Sequence, residues 1–283
     1  MAEIRFPAYR NYEASRIEAN NAMMALLAGS RLAANTLLLT EGSHALLPTM
    51  FPRVPHIRRF NLTTEAARQL LLDADSHLGA VAVPYALAVH EDFIMTAISM
   101  LKDAGIPIQS QKKAVKAWNM HEAFFRTCGT SSQSPAIEHF HLLRCMRNAQ
   151  IHEAGKVTKD LADLITHLSA TAVTAWQHLT GRVPGDVVAT GRVVFGASDI
   201  FAAFAVTKEL GRQANAALGS SLPRAEWAEV AVRDFTAATS RTRNSDQWMR
   251  GLRGYARDNY KPLQLTDSEL DAAARSCGAW SRP

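Results

Sequence analysis

The chain has 283 residues, 47% of them hydrophobic, and a formal net charge of +5, long enough to bury a real core as one large or two medium domains. Its three cysteines, Cys128, Cys145 and Cys277, have no paired spacing, which excludes a disulfide framework and a zinc knuckle and fits a reducing cytoplasm. Arg far outnumbers Lys, a bias compatible with a polyanionic partner and equally with GC-rich coding.

The N-terminus, MAEIRFPAYRNYEASRIE, lacks the basic start and apolar core of a secretory signal. No later stretch is uninterruptedly apolar over the roughly 18 residues a bilayer requires. The expectation is a cytoplasmic protein with no membrane partner.

Tyr12 to Leu39 reads as a helix, with Ile17, Met24, Leu27 and Leu32 on or near one face. Pro48, Pro52 and Pro55 then punctuate a connector that ends in Arg58 and Arg59. Thr63 or Thr64 caps a helix reaching towards Leu78, and Pro84 marks a kink or restart before Tyr85 to Leu101. Another helix is expected from Ser110 to Phe125, with Lys112, Lys113 and Lys116 solvated, followed by a polar loop from Thr127 to Pro135. Beyond Gly155, Thr158 to Leu179 has long helical periodicity. RVPGDVVATGRVVF, broken by Gly185 and Gly191, is the one place for a short strand or an irregular connector. Helical patterns return at Asp199 to Ala217 and at Arg224 to Ser240, the second opened by Pro223. The fold class is all-α, divided as 1–61 (N-terminal extension and connector), 62–180 (helical core) and 181–283 (C-terminal helical region).

His139 to Gly155, HFHLLRCMRNAQIHEAG, carries the chemistry. Phe140, Leu143, Met146 and Ile151 form the apolar stripe of a packed helix that Gly155 stops. Asn148 and His152, four apart, share a helix face, and Arg147 projects about 100° away. A histidine moves protons near neutral pH because its ordinary pKa is about 6.5. An arginine holds charge developing on phosphate oxygens with a planar fork of donors. The helix C-terminus also favours a cation at His152. The same residues equally serve as C-terminal capping groups that complement the helix dipole.

"MRNAQIHEAG" resembles the HEPN superfamily, all-helical domains whose ribonuclease members carry R-x4-6-H with a polar residue directly after the Arg. Tyr85 to Leu101, an apolar helix with Glu91 and Asp92 embedded, looks like the family's other core helix, and the resemblance covers about 65 to 180. It implies a HEPN-like bundle at 62–180, a homodimer in which two Arg147/His152 pairs meet, and metal-independent cleavage of RNA with no cofactor. Asn148 would support the pair, and Glu91 would join the site, as a catalytic group or by holding Arg147. A toxin or phage-defence role, with a regulatory or antitoxin protein as partner, is what the likeness implies.

From Arg241 to Lys261, six basic residues, Arg241, Arg243, Arg250, Arg253, Arg257 and Lys261, interleave with Trp248, Tyr255 and Tyr260. Such a stretch is either an RNA-holding surface with stacking rings or an amphipathic helix with its aromatics in the core. His90-Glu91, His121-Glu122 and His152-Glu153 each begin like a zincin helix, yet none has a His four residues after the first. The chain also lacks a phosphate-cradling glycine loop, a complete nucleophile elbow and the acidic clusters of a two-metal nuclease. The competing expectation is a non-catalytic helical module that binds RNA, a nucleotide or a protein. A DNA-binding regulator is disfavoured because no helix-turn-helix pattern is present.

Overall fold

A computed structural model of the protein describes residues 3–110, 114–131 and 135–281. Thirteen α-helices order these residues: α1 (Pro7–Leu38), α2 (Leu47–Met50), α3 (Thr64–Leu72), α4 (Ala74–Asp103), α5 (Met120–Thr127), α6 (Ala136–His152), α7 (Lys159–Thr166), α8 (Ala170–Thr180), α9 (Gly185–Thr190), α10 (Ala197–Ser221), α11 (Arg224–Ala238), α12 (Asp246–Asn259) and α13 (Asp267–Ser276). No strand forms among the described residues; extended pairing is limited to two antiparallel bridges, Leu46 with Thr63 and Lys156 with Arg192. The protein is all-α.

Several boundaries differ from expectation for local reasons. α4 runs unbroken through Pro84. By length and composition it is apolar enough to cross a membrane, and half of its most apolar window is buried within the protein. The expected helix from Thr158 to Leu179 is two helices, α7 and α8, because Ser169 starts afresh. Its Oγ accepts from Ala172 N at 3.1 Å, while its own N–H and hydroxyl donate to Glu138 Oε2 and Oε1, each at 2.7 Å. The segment with strand potential forms the short α9 and an irregular return. Only Met120–Thr127 of the helix expected from Ser110 is observed, and Lys112 and Lys113 lie outside the described residues.

The chain separates into two compact units that do not follow the expected division at 61 and 180. The first comprises residues 1–15, 88–137 and 206–283, and the second 16–87 and 138–205. Their boundaries fall inside α1, α4, α6 and α10, so segments distant in sequence pack together and no linker-like composition marks the divisions.

In the first unit the N-terminal segment is tied down at both ends. Asn215 accepts from Ile4 N–H at 2.9 Å and donates to the Ile4 carbonyl at 2.8 Å, satisfying that backbone as a strand neighbour would. Arg10 forks onto the buried Asp234 at 2.7 and 2.9 Å, and Tyr260 Oη donates to the same carboxylate at 2.7 Å. Phe6, Tyr9, Tyr12, Phe93 and Trp227 form an aromatic core. Gly211 admits Tyr12 to it, since a Cβ there would stand 2.5 Å from the ring.

The second unit contains most of α1, the first half of α4 and α6 to α9. Its buried centre includes Phe140, Leu142, Leu143, Met146, Trp176 and Phe195. The buried Asp199 pairs with Arg182 and accepts from Gly196 N–H at 2.8 Å. The apolar residues read on one face of α1 are largely open: Ile17, Met24 and Leu32 are 47%, 46% and 68% exposed, and Leu27 is half-buried.

Candidate functional site

The end of α6 is held in place from behind. Ala154 and Gly155 take positive φ values of 50° and 84°, turning the chain sharply after His152. Gly155 N–H donates to the Ala149 carbonyl at 3.0 Å, and its carbonyl accepts from Val193 N–H at 2.7 Å. A Cβ at Gly155 would meet Gln150 Oε1 at 3.1 Å and the Val193 carbonyl at 3.2 Å, so the position requires glycine on both counts. Arg192 donates to the Ala154 carbonyl at 3.0 Å and Val157 N–H to that of Gly191 at 3.2 Å, stitching the turn to the return after α9. Thr158 then caps α7 by accepting from Leu161 N–H at 3.2 Å.

This turn sets the start of α7 across from the last turns of α6 and leaves a cleft of about 520 Å³ between them. Arg144, Cys145, Asn148, His152 and Glu153 line one side, and Thr158, Asp160, Asp163 and Leu164 the other. His152 is exposed and Asn148 half-buried. Arg144, Asn148 and His152 follow one another at intervals of four, which keeps them on one helix face over two turns.

Two of the expected site residues, Asn148 and His152, therefore meet in the cleft. Arg147 stands to one side and does not line it; its Nη1 donates to Asn148 Oδ1 at 3.0 Å. Glu91 belongs to the other compact unit and is half-buried. Arg241, Arg243, Arg250, Arg253 and Arg257 also belong to that unit. Trp248 and Tyr260 are fully buried, so neither ring is open for base stacking, whereas Tyr255 is half-buried. Arg253 is engaged with Asp267 at 3.2 Å and Asp271 at 3.8 Å, whereas Arg241, Arg243, Arg250 and Arg257 are exposed.

Arg144, Asp160 and Asp163 were missed by sequence reasoning, although the four-residue ladder from Arg144 through Asn148 to His152 was there to be found. Arg144 Nη2 reaches the thiol of Cys145 at 3.6 Å, and its Nε is buried with no hydrogen-bond partner. Burial pushes the Cys145 thiol up, with Asp160 adding to that effect and Arg144 opposing it. The thiol therefore stays neutral and does not offset the guanidinium. The cleft combines a permanent cation, an imidazole, an amide and three carboxylates, the set needed to bind an oxyanion and move protons.

A second cluster of ionisable groups lies sealed in the first unit. Tyr12 Oη donates to the Thr207 carbonyl at 2.5 Å and lies 3.0 Å from His90 Nδ1, and His90 Nε2 lies 2.8 Å from His121 Nε2. Because the one phenolic proton goes to Thr207, the geometry assigns His90 Nδ1 as donor to Tyr12 and His90 Nε2 as acceptor from His121. Burial pulls the pKa of His90 down to about 3, so the ring is neutral. These histidines belong to two of the broken zincin-like motifs, yet they meet across 31 residues of chain. His139 is a packing residue, bonded to the Ala172 carbonyl at 2.7 Å and set edge-on to Trp176. Among the described residues no three His, Cys, Asp or Glu side chains converge to hold a metal.

No family model, curated protein or solved structure matches the chain. The likeness to the HEPN superfamily therefore rests on the motif residues themselves.

Proposed function

We propose that the protein is a metal-independent endoribonuclease of the HEPN type, whose reaction takes place in the cleft between α6 and α7. The observation that carries this reading is that His152 and Asn148, both from the R-x4-H segment, line one cleft together with carboxylates of α7. In the reaction, the RNA 2′-hydroxyl attacks the adjacent phosphorus and passes its proton to a cleft carboxylate, Asp160 or Asp163. The P–O5′ bond breaks, and His152 protonates the departing oxygen, leaving a 2′,3′-cyclic phosphate. A guanidinium holds the charge that builds on the phosphate oxygens. No cofactor takes part.

The active species in this reading is a homodimer. Its support is the number of large apolar side chains left open on the second unit, among them Leu32, Leu39, Val81 and Ile151 at 68%, 88%, 65% and 48% exposure, the kind of surface that marks an interface. The cellular role is that of a toxin or phage-defence effector restrained by a regulatory or antitoxin protein. Incubation of the protein and its His152→Ala variant with RNA in excess EDTA tests the assignment. Cleavage by the wild type alone, with cyclic phosphate ends, is the expected result.

A further inference from the structure

We infer that Arg144, rather than the motif's Arg147, is the cation that receives the scissile phosphate; this rests on the ribonuclease reading of the same cleft. Three observations converge on it. Arg144 lines the cleft with Asn148 and His152, whereas Arg147 does not. Among the described residues the guanidinium of Arg144 forms no ion pair with a carboxylate, its hydrogen bond goes to the neutral Cys145 thiol, and its buried Nε is unsatisfied. Arg147 is already committed to Asn148 Oδ1. That bond occupies the acceptor end of the Asn148 amide and leaves the Nδ2 donors for an oxyanion. Arg147 is thus a positioning residue that presents Asn148, and Arg144 makes the charged contact.

The electrostatics of the cleft make Arg144 indispensable. It is the one permanent cation among the lining residues, against Glu153, Asp160 and Asp163. A phosphate entering without it would meet carboxylates, an amide and a single imidazole, so its removal should weaken binding strongly. A fork of guanidinium donors also matches two phosphate oxygens at once, which Lys does not reproduce.

The test uses a 2′-O-methyl RNA dinucleotide, which carries the phosphodiester but no attacking hydroxyl. Binding is followed through the imidazole proton resonance of His152, assigned by its loss in His152→Gln. Arg144→Gln should weaken binding about tenfold or more and Arg144→Lys should recover only part of it, whereas Arg147→Gln should stay within about threefold of wild type. If Arg144→Gln fails to fold by circular dichroism, wild-type protein decides: the dinucleotide should protect Arg144, and not Arg147, from a dicarbonyl reagent read by mass spectrometry. Unchanged affinity in Arg144→Gln, selective loss in Arg147→Gln, absence of protection at Arg144, or no binding to wild type would each overturn the inference. The two readings fail separately. Binding that depends on Arg144 without any RNA cleavage removes the nuclease and keeps the phosphate site; cleavage that persists in Arg144→Gln does the reverse.

Discussion

Arg147 donates to the side-chain oxygen of Asn148, its neighbour in the chain, at 3.0 Å, and in the proposed reaction this bond is its route to the cleft. Two residues acting as one device lose their function together. Arg147→Ala and Asn148→Ala should each lower kcat/KM by about tenfold, and the double variant should be no worse than either alone. A steady-state comparison of the four proteins on one RNA reads this directly, and additive losses would separate the two roles.

Gly155→Ala should disturb the cleft without touching a lining residue. The φ of 84° is strained for any side chain, and the new Cβ presses on Gln150 Oε1 and the Val193 carbonyl. A stability loss of about 1–3 kcal/mol is expected in urea denaturation. RNA cleavage should fall with it at temperatures where the variant is still folded, because the turn sets α7 opposite His152. An equally active, equally stable variant would show that the turn does not control the cleft.

Much of the helical framework was legible from the chain. Thr63 accepts from Ala66 N–H as a cap, Pro223 precedes α11, and Gly155 ends α6. These signals are local, carried by one residue and its near neighbours. The break between α7 and α8 was hidden because Glu138, which anchors Ser169, lies 31 residues away in sequence. The division into units was hidden for the same reason, since its boundaries fall within helices that have continuous periodicity. α13 went unread although Thr266 and Glu269 form a capping box. At the site, spacing brought out Asn148 and His152. Arg144 stands outside the R-x4-H spacing, and only its place four residues before Asn148 on one helix face brings it to the cleft.

Acid should destabilise the protein through His90. Its folded pKa of about 3 lies below the ordinary value of about 6.5, so the unfolded chain takes up the proton first as pH falls. The contribution of His90 is flat above about pH 6.5 and declines between about 6.5 and 3, by up to about 1.4 kcal/mol per pH unit. Urea denaturation across that range should show a shallower decline for His90→Gln than for wild type. Parallel slopes would mean that the imidazole is protonated in the folded state.

Removing Arg182 should leave a buried carboxylate uncompensated. Asp199 is fully buried, burial pushes its pKa up, and Arg182 is the charge that opposes this. Arg182→Ala is expected to cost about 3 kcal/mol near neutral pH. In that variant the folded pKa rises further above the unfolded one. Stability is then present in acid, where the carboxyl keeps its proton, and is lost as pH rises through the folded value. Adding Asp199→Asn should recover part of the loss at neutral pH, which thermal denaturation of the single and double variants would detect.

The most direct measurement is cleavage of single-stranded and structured RNA in excess EDTA by wild type and His152→Ala, with the product ends identified. His152 is exposed at the end of α6, so its removal should leave the fold intact, as circular dichroism would verify. Cleavage by the wild type alone, leaving 2′,3′-cyclic phosphates, is the predicted result. Equal cleavage by both proteins would contradict the role given to His152, and no cleavage by either would contradict the nuclease and leave a phosphate-binding helical module in its place.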